Sequence, residues 1–336
     1  MRRIYMDANA TTPLLPEVFD AMRPFFIEQF GNASSIHQQG QHARAAVEHA
    51  REQVARLLHC RTSEIVFTSG GTESDNLALF GTLQPGDHLV TSAIEHHAVL
   101  HAAEALATRG VEVTFLPCTT SGLIEPAALQ AALRPNTRLV SLMLANNETG
   151  TIQPIAELAR LTKAHSSALF HTDAVQAAGK LPLDLGPQGA FAQVDLLTIS
   201  GHKMHAPQGT GILFTRRSVR LAPLFHGGTH ERQRRAGTEN LPGIVALGKA
   251  AELAEQWMHA ASSALPPAAL SDHPGAAANP AALAQLRPKT RQAYLLHRFE
   301  GLTYERIAAE LGLSPKGVEK HMSKAIAHLD RHLSRR

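Results

Sequence analysis

Cysteine is scarce in this 336-residue chain: two residues, Cys60 and Cys118, with no CxxC pair. That excludes a disulfide scaffold and a paired-cysteine zinc site, and it fits a reducing compartment. Aromatics are also few, at 5%, with a single tryptophan. No long uncharged apolar run exists to span a bilayer, and Asp7 interrupts the start before a secretory signal could develop. These features predict a cytoplasmic protein with no membrane association. What is present is 44% apolar residues over a length sufficient for roughly two ordinary domains.

Charge divides the chain unevenly. Residues 281–336 hold eleven basic and five acidic side chains, a net +6 that leaves −3 for the remainder. A basic end on a mildly acidic body suggests two modules with different partners. Between them, residues 259–280 read HAASSALPPAALSDHPGAAANP, an Ala/Pro/Ser-rich linker whose first residues could extend a helix. The expected organisation is therefore 1–258, 259–280 and 281–336.

In the first module, Ala43, Ala46, Val47, Ala50, Val54, Leu57 and Leu58 recur at helical spacing. Arg44, Glu48, Arg51 and Glu52 are placed on the surface. Short apolar runs at 64–68, 88–91, 111–117, 138–145, 168–171, 196–199 and 211–215 read as buried strands. Helical stretches at 73–83, 98–108 and 155–165 alternate with them. The pattern predicts an α/β fold with a mostly parallel sheet, whose ligands gather beyond the carboxyl ends of the strands.

Polar clusters lie where those runs end. Thr68-Ser69-Gly70-Gly71-Thr72-Glu73-Ser74-Asp75-Asn76 follows a strand and opens a helix, a place where free N–H groups and the helix dipole attract an anion. Neither GxGxxG nor GxxxxGK[ST] is present. Lys203, in Ser200-Gly201-His202-Lys203, is suited to a Schiff base, although the tetrapeptide alone favours a lysine in a surface loop. Asp173 closes another strand. A lysine, an acid and an anion cradle together are what pyridoxal phosphate chemistry needs. His96, His97 and His101 lack a companion HExxH or CxxC, so no metal site is expected. His226-Gly227-Gly228 has no GxSxG nucleophile to serve, which argues against a hydrolase.

Nine blocks in order carry a resemblance: 5–13 (YMDANATTP), 30–37 (FGNASSIH), 67–76, 95–99 (EHHAV), 146–150 (NNETG), 171–176 (HTDAVQ), 200–203, 226–231 (HGGTHE) and 235–240 (RAGTEN). Over residues 4–258 the chain resembles cysteine desulfurases of the class V aminotransferase group. The resemblance implies an aspartate-aminotransferase-like large domain with pyridoxal 5'-phosphate as cofactor. It also implies L-cysteine or a related amino acid as substrate, and sulfur passed to an acceptor scaffold protein for iron-sulfur cluster assembly. By the same resemblance Lys203 holds the cofactor, Asp173 pairs with the pyridinium nitrogen, and Gln176 bonds the ring hydroxyl. His96 stacks on the ring as a catalytic residue alongside Lys203, and Asn147 lies beside it. Gly71, Thr72, Ser200 and His202 bind the phosphate. Thr238 reaches the phosphate of a neighbouring subunit, implying a homodimer.

The resemblance stops near Trp257. In the family a further C-terminal part supplies a nucleophilic cysteine and an arginine for the substrate carboxylate. Neither Cys60 nor Cys118 occupies such a position, so desulfuration is expected to be impaired. Apolar surface normally covered by that part is expected to be exposed.

In the basic end, Leu283, Leu286, Leu295, Leu296 and Phe299 predict a helix, or a helix pair broken at Pro288. Thr303 caps a second helix that ends at Gly312, and Ser314-Pro315 opens a third. The third points Val318, Met322, Ala325 and Leu329 inward. Lys316, Glu319, Lys320, Ser323 and Lys324 are left on the outer face for DNA. The run 286–329 resembles region four of extracytoplasmic-function sigma factors of the iron-transport type, implying an all-α helix-turn-helix domain that engages promoter DNA and core RNA polymerase. Two alternatives stand beside the enzyme reading: a sigma-like regulator with the large module as a dimerising scaffold, and a non-functional gene chimera.

Overall fold

The computed structural model describes residues 5, 7–264, 286–298 and 303–333. They divide into two units, Met1–Ala145 with Ile152–Ala264 and Asn146–Thr151 with Leu265–Arg336. Most of the expected linker and Leu283 and Phe299 lie outside the described residues.

The first unit is built on seven strands: β1 (Ile65–Thr68), β2 (His88–Ser92), β3 (Glu112–Leu116), β4 (Thr137–Ser141), β5 (Leu169–Asp173), β6 (Leu196–Ser200) and β7 (Gly211–Thr215). Their order is β1-β7-β6-β5-β4-β2-β3. β7 runs antiparallel to both β1 and β6, and every other pairing is parallel. Each strand falls on an apolar run identified above. β1, β2, β6 and β7 are buried throughout, whereas edge strand β3 is partly exposed. The longest run, 138–145, is strand only to Ser141. Beyond it the Leu142 and Leu144 amides still donate to the His171 and Asp173 carbonyls, so the apolar pattern outlasts the ladder.

Eight helices flank the sheet: α1 (Pro16–Met22), α2 (Pro24–Ile27), α3 (Gln38–Leu57), α4 (Gly71–Phe80), α5 (His97–Ala107), α6 (Pro126–Ala132), α7 (Ile155–His165) and α8 (Leu241–Ala264). α3 buries Ala43, Val47, Ala50, Val54 and Leu57, as its spacing predicts. α8 lies along it so closely that a Cβ on Gly248 would stand 2.6 Å from the Ala50 Cα. One α3 residue departs from expectation. Arg51 is 3% exposed rather than on the surface, because a buried carboxylate from a distant loop meets it. Around α1 and α2 several large apolar side chains are exposed: Phe26 is 59%, Ile27 78% and Phe30 63% exposed.

In the second unit, α9 (Pro288–Arg298), α10 (Tyr304–Leu311) and α11 (Pro315–Leu333) enclose Ala293, Leu296, Ile307, Ala308, Val318 and Met322. A helix begins at Pro288, which suits a residue with fixed φ and no N–H to lose, and the residues that would form an earlier helix of a pair lie outside the described residues. Thr303 caps α10, Gly312 ends it at φ +61°, and Ser314 Oγ accepts the Gly317 amide at the start of α11.

Candidate functional site

The carboxyl ends of β1, β5 and β6 deliver the candidate residues to one edge of the sheet. After β1 the chain turns through Gly70, whose φ of +154° favours glycine, and enters α4 at Gly71. A Cβ on Gly71 would lie 2.9 Å from Val175 Cγ2 and 3.5 Å from the Ser200 Cβ. Only glycine leaves this backbone open beside the start of a ten-residue helix, with Thr72 exposed and Ser200 buried next to it. The Glu73 carboxylate accepts the Ser69 amide at 2.8 Å and pairs with Arg235 Nε at 2.9 Å. This ties the 235–240 loop, and with it exposed Thr238, to the same turn. A small cavity between them is lined by Thr68, Ser69, Gly211, Arg235 and Thr238.

Asp173 ends β5 with its side chain buried and Oδ1 accepting the Val175 amide at 2.8 Å. Burial raises its pKa to about 6, while that amide and the Lys203 charge pull the other way. Such a carboxyl calls for a cationic ring nitrogen, which would hold it ionised. Lys203 follows β6 in a short 3₁₀ turn, and its Nζ donates to the Asn9 carbonyl. Gln176 Nε2 donates to the same carbonyl at 3.0 Å. His202 Nδ1 meets Thr11 Oγ1 at 3.1 Å. The N-terminal residues 9–12 therefore close this side of the site.

His96 caps α5, its Nδ1 accepting the Ala98 amide at 3.1 Å, which leaves the proton on Nε2. Burial first, then the charges of His97, Lys203 and His101, keep its pKa low, so the ring is neutral and suited to stacking. His97 and His101 stack on each other at 5.0 Å between centroids. Asn147 sits on the Asn146–Thr151 loop, outside the first unit, with its amide donating to Glu148 Oε1 at 2.9 Å.

Beneath the site lies a layer that the sequence reading did not assign. His171 is fully buried, its pKa lowered by burial to about 3, and its ring spans Ser141 Oγ at 2.8 Å and Thr198 Oγ1 at 3.1 Å. Asp75 stands 3.7 Å from its Nε2, raised well above the usual carboxylate range by burial and then by Asp173. Glu95 is raised by burial to about 8, against its bonds from Ser92 and the Met143 amide. Both acids fall within recognised blocks, but only their burial reveals that their pKa values are raised.

The two thiols are remote from this chemistry. Burial pushes Cys60 up to about 12, and Cys118 is half-buried against the main core. On α11, Lys316, Glu319, Lys320, Ser323 and Lys324 are all exposed while Val318, Met322 and Ala325 are buried. Leu329 has no described side chain. No helix among the described residues is long and apolar enough to cross a membrane.

Comparison with known proteins agrees with this geometry. The aminotransferase class-V family model matches residues 4–269, and the model for sigma-70 region 4 matches 280–329. The cysteine desulfurase IscS of Dictyoglomus turgidum is 48% identical over 257 residues, which are 75% of this chain but only 64% of that relative. Among solved structures, SspA in complex with cysteine is 40% identical at a TM-score of 0.70, covering 74% of this chain and 72% of that one. A NifS-like protein is 30% identical at a TM-score of 0.74, covering 99% and 100%. Class V aminotransferases depend on pyridoxal phosphate, and the residues assembled here fit it: a lysine, a buried acid, and a glycine turn beside a helix N-terminus. The chain belongs to the class V aminotransferase family, with a sigma-70 region 4 sequence at its C-terminal end.

Proposed function

We propose that the large unit, expected to span 1–258, binds pyridoxal phosphate and an amino acid of the L-cysteine type, and that its sulfur-transfer step is impaired. The convergence of Lys203, Asp173, Gly71 and Ser200 on one sheet edge carries this reading. Lys203 would hold the cofactor aldehyde and Asp173 the ring nitrogen. Gly71, Thr72, Ser200 and His202 would hold the phosphate. When bound, the group supplies an electron-poor ring that delocalises charge from the substrate Cα. The protein's part is to keep that ring protonated through Asp173, flanked by neutral His96, and to present Lys203 as the base that moves the Cα proton.

Sulfur abstraction needs a thiolate. Cys60, held near pKa 12 by burial, cannot supply one at neutral pH, and Cys118 packs against the core. Thr238, exposed on its loop, would reach a partner subunit's phosphate in a homodimer.

The test is reconstitution of the full chain with pyridoxal phosphate. Yellow absorbance is expected in the native protein and not in Lys203→Ala, with alanine release from L-cysteine at background. A colourless native protein whose large unit is folded overturns the cofactor assignment. Release of alanine at a sustained rate overturns the impairment.

A second module acts alongside. The exposed basic face of α11 favours promoter DNA, and with it core RNA polymerase, as partners of 281–336.

A further inference from the structure

Lys180 lies four residues beyond Gln176, on the turn that follows β5. Its Nζ donates to the Gln176 backbone carbonyl at 3.0 Å and to the Gln176 side-chain Oε1 at 3.3 Å. An ammonium has three donors and no acceptor, so it can engage only the oxygen end of an amide. The nitrogen end of Gln176 consequently faces the other way, donating to the Asn9 carbonyl that Lys203 also engages. Four groups from three separate segments thus form one chain of contacts: Lys180, Gln176, Asn9 and Lys203. The two amines also act on each other. Lys180 is held below its ordinary pKa by lost hydration first and by the Lys203 charge second.

We propose that Lys180 is a positioning residue for the cofactor ring: it fixes the Gln176 amide as a donor toward the ring oxygen and places a second positive charge beside Lys203. This rests on the pyridoxal phosphate reading above. A donor favours the ring oxygen as an anion, and a nearby cation disfavours protonation of the nitrogen contributed by Lys203. Both effects lower the pH at which that nitrogen loses its proton. Asp173 on β5, His202 beside Lys203 and His96 at the start of α5 also face this nitrogen. They remain in place in every variant below, so a difference between variants belongs to position 180.

The experiment is a pH titration of the absorbance of bound pyridoxal phosphate in the full chain, for the native protein, Lys180→Met, Lys180→Gln and Lys180→Arg. The Met and Gln variants are expected to raise the midpoint by about half a pH unit or more. They should also retain the cofactor about fivefold less tightly. Lys180→Arg, which keeps charge and donors, should leave the midpoint at the native value. A native midpoint in Lys180→Met overturns the proposal, as does an Arg shift equal to the Met shift, which would mark a purely structural role. Where Lys180→Met does not fold, Lys180→Gln decides alone. Native protein that takes up no pyridoxal phosphate defeats the cofactor reading itself, a result distinct from an unshifted midpoint.

Discussion

Arg51 and Glu231, 180 residues apart in the chain, form a two-pronged ion pair at 2.8 and 2.9 Å with both side chains almost wholly buried. The remaining valences are filled: Arg51 also donates to the Ile65 carbonyl, and Glu231 accepts the Phe67 amide. The pair anchors a turn in which Glu231, Arg232 and Gln233 all have positive φ, between 47° and 67°. That turn leads directly into the loop bearing Arg235 and Thr238. Removing one partner strands the other charge in the interior. Arg51→Met or Glu231→Gln should therefore cost about 3–5 kcal/mol in urea unfolding. A double change, Arg51→Met with Glu231→Leu, should recover much of it.

Glu95 gives a pH dependence of defined sign. Its folded pKa of about 8 lies above the ordinary carboxylate value, so the native state keeps a proton that the unfolded chain has already lost. Stability contributed this way is fully present below the ordinary carboxylate pKa, declines progressively as pH rises above it, and is lost once pH has passed through 8. Cofactor-free protein should lose about 2 kcal/mol between pH 6.5 and 8.5 from this group, read as a falling Tm. Glu95→Gln should remove that share of the slope, while Asp75, raised in the same direction, keeps its own contribution.

At Gly71 space is the constraint. With Val175 Cγ2 only 2.9 Å from a built Cβ, Gly71→Ala must displace either the helix start or the Val175 side chain. Pyridoxal phosphate should bind about tenfold more weakly by equilibrium dialysis, with the far-ultraviolet circular dichroism unchanged.

Lys320 tests the second module. Lys320→Ala should weaken binding of the full chain to promoter DNA and lower the slope of log affinity against log salt by about one, measured by fluorescence anisotropy. An unaltered slope would place the DNA on another face.

The strands were legible because nearly all are buried on both faces, and burial writes continuous apolar runs such as 196–199 and 211–215. The caps at Thr303, Gly312 and Ser314 were legible because their chemistry is local. Arg51 was misplaced for the opposite reason. Nothing within helical range of it announces a carboxylate arriving from residue 231, so a charged residue between apolar positions reads as solvated. Lys180, Asp75 and Glu95 escaped similarly: a lysine in a turn and acids near a helix start acquire their meaning from neighbours brought in by other segments.

The sheet order bears on how the chain comes to be folded during synthesis. β1 pairs only with β7, Ile65 opposite Phe214, so the earliest strand to leave the ribosome waits for the latest. Until then its ladder has no mate, and the glycine turn behind it cannot be set against Gly211. Such long-range closure is slow and leaves an open edge in the nascent chain. A ribosome stalled before Gly211 would hold a polypeptide whose first strand has no partner and whose glycine turn lacks its packing neighbour.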